Sequence, residues 1–249
     1  MKALVAIKRV ADHTVTVRIK SDNSNVDLSD TKMVINPYCE IALEEAIQQK
    51  ESGAISEVVA VSVGENLCQE QLRAALALGA DRAIHIETEG NPEPLIIAKL
   101  LAKVVEAERP QLIITGKQSV DSDNNQTGQM LAALLGMGQG TFASKIVIEG
   151  NTALVTREVD GGQQTVSLTL PAVVTADLTL NKPRYASLPN VMKAKRKPIE
   201  RLQAEALGVD VSSRTRVIRT ETLGRQRVGV KVTSVDDLVN KLKNEARVI

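Results

Sequence analysis

The chain has 249 residues, 43% hydrophobic and 24% charged, with a formal net charge of +1, a globular balance with no bias toward nucleic acid or membrane. Its aromatic residues are Tyr38, Phe142 and Tyr185, with no tryptophan. That is too few rings for stacking nucleobases along a strand. Its cysteines, Cys39 and Cys68, can form neither a disulfide framework nor a four-thiolate metal site.

The length allows one sizeable core, or one domain plus an arm. No apolar segment reaches the ~18 residues a membrane span needs, and the N-terminus runs straight into a strand. The expectation is a soluble intracellular protein in a reducing compartment, without direct membrane insertion.

Ala3 to Ile7 is a continuous apolar run, the pattern of a strand buried on both faces. Val15 to Lys20 reads as a hairpin or edge, ending in the turn-rich Ser21 to Asn25. Asn36-Pro37 is a helix start, with Asn at the N-cap and Pro in the first turn, and Ile41, Ala42, Ala46 and Ile47 form the apolar stripe. The alternation continues through a strand at Val58 to Val63, a helix at Asn66 to Leu78, a strand at Arg82 to Ile86 and a helix at about Glu93 to Ala107. Leu112 to Gly116 is a further buried strand, followed by a helix from about Gln126 to Leu135. Strands and helices in alternation predict a doubly wound α/β fold, a mostly parallel, Rossmann-like sheet covered on both faces.

After Gly140 the pattern changes. Ile146 to Ile148, Ala153 to Val159 and Thr165 to Leu170 predict an antiparallel extension, and Pro171 to Ala176 one more central strand. Beyond Pro198 apolar density falls and arginines accumulate at Arg214, Arg216, Arg219, Arg225 and Arg227, with a modest helix at Asp236 to Ala246. This part looks too thin to hold a core, which suggests an arm. The division predicted is residues 1–180 as an α/β domain, 181–199 as a loop and 200–249 as a C-terminal arm.

Ligands of a doubly wound sheet bind at the carboxyl ends of its strands. Three loops should meet there: after Ala6, around Asn36 to Cys39, and between Gly116 and Thr127. The third leaves a buried strand and feeds a helix start bearing Asn125, Gln126 and Thr127, whose N–H groups, amides and hydroxyl suit a phosphate. An ordinary capped helix with a polar loop reads equally well from these residues. There is no G-x-x-x-x-G-K-[ST] loop, no S-G-G-x-D-S loop, and the glycines from Gly136 to Gly140 follow a helix, so no dinucleotide fingerprint exists. His13 and His85 are too far apart in sequence to suggest a metal pair, His85 reads as a satisfied structural residue, and no catalytic or metal-binding constellation stands out.

Asn181 to Lys197 breaks the rhythm. Pro183 and Pro189 bracket Tyr185 and Leu188, and basic residues without an acid crowd the tail. The prolines predict an ordered, non-repetitive loop. Leu188 has no periodic partner, so the stretch reads either as a docking element, apolar anchor beside cationic charge, or as a solvated linker.

The run N-x-P-R-Y-A-x-L-P-x-[IVM]-M-x-A-[KR]-[KR] resembles the signature of the beta subunit of electron-transfer flavoproteins. The likeness covers nearly the whole chain: V-A-x-K-R-V, N-P-[FY]-C-E-I-A, G-A-D-R, G-K-Q-x-x-D-x-D-x-N-Q-T-G-Q-M, Q-G-T-F-A-S, R-E-x-D-G-G and L-P-A-V-V-T-A-D-L. What the resemblance implies is an electron carrier, not an enzyme. It would pair with an alpha subunit that holds FAD, take electrons from acyl-CoA-type dehydrogenases and pass them to a quinone oxidoreductase. This subunit would hold a structural AMP at Ala6, Asn36, Pro37, Tyr38, Cys39, Val63, Gly116, Lys117, Gln118, Ser119, Val120, Asp121, Ser122, Asp123, Asn124, Asn125, Gln126 and Thr127. Partners would be met by Pro183, Arg184, Tyr185, Leu188, Pro189, Met192, Lys193 and Lys195, with Glu158 contacting the flavin domain. The resemblance also implies that residues 1–180 are an adenine-type nucleotide-binding domain and 181–199 a partner-recognition loop. His13 stands where relatives commonly have a tyrosine near the flavin. The family places such a chain in the cytoplasm of a bacterium or the mitochondrial matrix of a eukaryote. The rival readings are an electron-bifurcating subunit with FAD in the nucleotide site, and a free-standing ATP-binding regulatory protein.

Overall fold

In the computed structural model, which describes residues 1–222 and 229–249, the apolar runs become strands in the order the sequence suggests. The first is β1 (Lys2–Ala6), then β2 (Arg9–Ala11), β3 (Arg18–Ile19), β4 (Val26–Asp27) and β5 (Met33–Ile35). Helix α1 (Pro37–Glu51), β6 (Glu57–Gly64), α2 (Gln69–Leu78), β7 (Arg82–Glu87), α3 (Pro94–Glu108), β8 (Leu112–Gly116) and α4 (Thr127–Leu135) continue the alternation. Next come β9 (Gly138–Glu149), β10 (Thr152–Val159), β11 (Gly162–Thr169), β12 (Ala172–Ala176), α5 (Leu188–Ala194), β13 (Glu200–Gln203) and α6 (Val235–Asn240).

Nine strands form one sheet in the order β11-β10-β9-β12-β8-β1-β6-β7-β13, parallel from β9 through β12 to β13 and antiparallel across β9, β10 and β11. Side chains of a strand alternate between faces, and here both faces are covered. Ala3 and Val5 pack with α1 and α2, while Leu4 between them packs with α3 and α4. That alternation is why β1 is apolar without a break, and it confirms the doubly wound class.

The chain forms two compact units, residues 1–18 with 27–216, and residues 19–26 with 217–249. In the second, α6 starts at Ser234, whose hydroxyl accepts from the Asp237 N–H at 3.1 Å, and a π-turn over Lys241–Glu245 follows. None of its described residues is buried, and Val217, Ile218, Val235, Val248 and Ile249 are exposed. Arg225 and Arg227 lie outside the described residues.

Three local findings differ from the sequence reading. The stretch with the two prolines is not loop throughout, because Leu188–Ala194 is helical. The Ser187 side chain accepts from the Asn190 N–H and Pro189 sits in the first turn, where its missing N–H costs no hydrogen bond. Strand β9 starts at Gly138, eight residues ahead of the run at Ile146, since its first part pairs in parallel with β12. Residues 200–203 pair with β7 as the sheet's edge strand, so the sheet continues past residue 199. Leu202, Leu207, Val209 and Val211 pack on the core behind it.

Candidate functional site

The carboxyl ends of β1 and β8 bring the three expected loops together. Asn36 takes the N-cap position of α1, yet its side chain does not cap that helix. Fully buried, it turns to the loop after β8, donating from Nδ2 to the Gln118 carbonyl at 2.8 Å and accepting the Val120 N–H on Oδ1 at 3.1 Å. The α1 start and the 116–127 loop are thus tied by one amide. Lys8, just past β1, adds a second tie, donating from Nζ to Ser119 Oγ at 3.1 Å and to Asp121 Oδ1 at 2.8 Å. Burial pushes the Asp121 carboxyl up, but the charge and hydrogen bond of Lys8 outweigh it and hold the group below its ordinary range.

Gly116 is required where it stands. A Cβ there would lie 2.7 Å from Tyr38 Cβ and 3.0 Å from the Tyr38 carbonyl carbon, closer than real Cβ contacts allow. Lys117 is enclosed: its Nζ bonds Asp177 at 2.7 Å and lies 5.7 Å from the Tyr38 ring centre and 5.2 Å from that of Phe142. Two of the chain's three aromatic rings therefore surround this one cation. Cys39 is buried, and that burial pushes its thiol up despite the Asn36 amide 3.4 Å away. It is a packed thiol, not a nucleophile.

The loop reaches α4 through two residues in the left-handed region, Asp123 (φ 55) and Asn125 (φ 50). Asx residues tolerate that conformation best among those with a side chain. Gln126 occupies the N-cap of α4 without a side-chain hydrogen bond, leaving the first-turn N–H groups to another acceptor. Gln129, in the first turn of α4, has a buried Oε1 with no partner while its Nε2 donates to Asn125 at 2.9 Å. The acids nearby are already engaged, Asp121 with Lys8 and Asp123 with Gln118. An uncapped helix start, with Asp121 neutralised by Lys8 and Asp123 held by the Gln118 amide, suits an anion such as a phosphate.

Of the nucleotide residues expected from the sequence, Ala6, Asn36 to Cys39 and Gly116 to Thr127 meet in this one region, and Val63 is next to last in the adjacent strand β6. Sequence reasoning missed Lys8, whose signal was its place in the V-A-x-K-R-V match, and Gln129.

The partner-facing residues fall in two places. Tyr185, Leu188 and Met192 are 99%, 75% and 52% exposed, and Pro189, Lys193 and Lys195 are exposed with them. Pro183 and Arg184 are partly covered, Arg184 being engaged with Glu44 and Glu51 of α1. Helix α5 packs on α2, which covers β6 and β7, whereas Glu158 is on β10, near the opposite end of the strand order. Its carboxylate accepts from Gln163 across the β10–β11 hairpin at 2.9 Å. His13 is exposed, near enough to Glu40 to oppose the rise that burial gives that carboxyl. His85 is only half satisfied: Nε2 is 2.9 Å from the Gly64 carbonyl oxygen, and buried Nδ1 has no partner. Among the described residues no group of three or more His, Cys, Asp or Glu is placed to hold a metal, and no helix is long and apolar enough to cross a membrane.

Fold and site together define a Rossmann-like α/β protein with a polar, anion-suited region at the sheet's carboxyl ends. The family profile described as electron transfer flavoprotein domain matches residues 25–207. The chain is 57% identical over 249 residues to the electron transfer flavoprotein subunit beta of Bradyrhizobium diazoefficiens, covering 100% of both chains. It is 53% identical over 251 residues to the mitochondrial subunit beta of Arabidopsis thaliana, again 100% of both. Against the subunit beta of Mus musculus it is 52% identical over 252 residues, 100% of this chain and 99% of the mouse one. The chain belongs to the electron transfer flavoprotein family, and its full-length likeness is to beta subunits.

Proposed function

We propose that this chain is the beta half of a heterodimeric electron carrier, not an enzyme, which docks acyl-CoA-type dehydrogenases and a quinone oxidoreductase. FAD, held mainly by the alpha subunit, supplies the redox chemistry when bound. This chain contributes a scaffold, a structural AMP site and the docking element. The AMP phosphate would take the open N–H groups at the start of α4, which fit it: the helix has no side-chain cap and Asp121 beside it is paired with Lys8. Asn36 and Lys8 hold the loop that carries those groups. The exposed apolar residues of the second unit, Val217, Ile218, Val235 and Ile249 among them, give the C-terminal arm a surface to lay on the alpha subunit. The compartment expected for such a carrier is the cytoplasm of a bacterium or the mitochondrial matrix, a reading supported by relatives of both kinds.

The observation that carries the reading is Leu188. Exposed to 75% on an ordered helix start, beside Tyr185 and ahead of Lys193 and Lys195, it is an apolar anchor with flanking charge. The test is Leu188→Ala in the heterodimer, with flavin reduction by an acyl-CoA dehydrogenase followed in a stopped-flow instrument. Reduction slows while FAD content stays at the wild-type level; unchanged kinetics would remove the anchor role.

A further inference from the structure

Residues 181–197 are held by hydrogen bonds at both ends, and between them Ala186 and Val191 pack on the core while other side chains stand bare. At the first end Asn181 Nδ2 donates to the Ile41 carbonyl at 3.1 Å and to Glu45 Oε2 at 3.2 Å. Arg184 makes a fork between two carboxylates of α1. Its Nε and Nη2 donate to Glu44 at 2.8 and 3.0 Å, and its Nη1 and Nη2 to Glu51 at 2.5 and 2.8 Å. Its backbone N–H also reaches Glu44, at 3.2 Å. At the far end Arg73 donates to the carbonyls of Ala194 and Lys197, and Lys197 Nζ to the Ala80 carbonyl at 2.9 Å. Between the two anchors stand Tyr185, Leu188 and Met192, exposed.

Glu44 is only 5% exposed, and it is matched by a planar cation whose donors fit carboxylates in pairs. Burial pushes the Glu44 carboxyl up, and the bonds from Arg184 and Gln48 more than reverse this, leaving it below its ordinary range. The pair is therefore charged, and the guanidinium has little left to offer a partner protein.

We propose that Arg184 is a positioning residue: clamped on Glu44 and Glu51, it orders the stretch before a partner arrives and sets Leu188 in its docking pose. The inference rests on the reading that Leu188 is the docking anchor. Ordering the segment in the free protein removes that entropy cost from association, so the clamp acts on affinity and leaves electron transfer after docking alone.

The experiment uses the intact heterodimer with an acyl-CoA dehydrogenase, measuring KM for the flavoprotein and kcat. Arg184→Ala raises KM on the order of tenfold with kcat retained, the signature of lost uniform binding. Arg184→Lys keeps the charge but not the fork, so it gives nearly the same KM as Arg184→Ala. Amide hydrogen exchange of residues 183–194 speeds up in both variants. Glu51→Gln, at the exposed side of the fork, moves KM in the same direction by less and serves if Arg184→Ala fails to fold. The double variant Arg184→Ala/Leu188→Ala is no worse than Leu188→Ala alone, because the clamp acts through that side chain.

A lysine that restores wild-type KM would overturn the proposal, since charge alone would then suffice, as would multiplied KM effects in the double variant. Leu188→Ala with an unchanged KM would instead remove the docking reading beneath it, which separates the two failures.

Discussion

Asn36 and Gln118 are 82 positions apart in the chain and joined by a 2.8 Å hydrogen bond, from the Asn36 side-chain amide to the Gln118 carbonyl. The same amide accepts the Val120 N–H on its oxygen, so one buried side chain makes two of the ties that hold the loop opening toward α4. Asn36→Ala removes both bonds and leaves a carbonyl and an N–H without their partner. An unmade hydrogen bond at a buried group costs about 1–3 kcal/mol. The expected outcome is a lower thermal midpoint and a reduced AMP content of the purified heterodimer. Full AMP content and an unchanged midpoint would show that the loop is held some other way.

Gly128 sets two effects of opposite sign against each other. It is the second residue of α4, where alanine's advantage over glycine is at most the ~1 kcal/mol of a helix interior. A Cβ there would stand 2.5 Å from Thr175 Cγ2 and 2.8 Å from Thr115 Oγ1. Thr175 cannot easily turn away, because its hydroxyl accepts the Phe142 N–H at 3.0 Å. Overpacking of this kind costs roughly 1–3 kcal/mol. The clash wins, and Gly128→Ala lowers the urea midpoint. A raised midpoint would mean that helix propensity decides at this site.

Glu108 gives the chain a pH dependence with a fixed sign. Arg82 donates to both of its oxygens and Lys2 to one, and the hydrogen bond from Arg82 foremost holds the carboxyl below its ordinary value. A folded-state pKa below the unfolded one, about 4.3 for Glu, adds stability that is complete above that unfolded value. It is lost as pH falls through the lower folded value. Glu108→Gln therefore destabilises at pH 7, by on the order of 1 kcal/mol for a partly exposed network. Urea denaturation should show the gap closing as the pH is lowered below 4. A gap that stays constant with pH would assign the loss to packing alone.

The legible parts of the fold were those with a strong local cause. Ala3 to Ile7 and Leu112 to Gly116 are apolar without interruption because both faces of their strands are covered, and Asn36-Pro37 announces α1. The polar loop between Gly116 and Thr127 was legible as a candidate site because its strand and its helix both were. What stayed hidden depends on partners far away in the chain. Arg184 reads as a free cation until Glu44, 140 positions earlier, is seen beneath it. Asn36 reads as a helix cap until the loop folds over it. Glu200–Gln203 has no apolar run, and its strand exists because β7 offers an edge. The two prolines misled in a simpler way: Pro189 sits in the first turn of α5 instead of excluding a helix.

The measurement that tests the account most directly is nucleotide release from the native heterodimer. The chain is co-purified with its alpha subunit and denatured, and the released nucleotides are separated by chromatography and quantified. One equivalent each of FAD and AMP per heterodimer is the expected result. Two FAD and no AMP would put a flavin in the sheet-end site, and ATP with neither a partner nor flavin would contradict the carrier reading altogether.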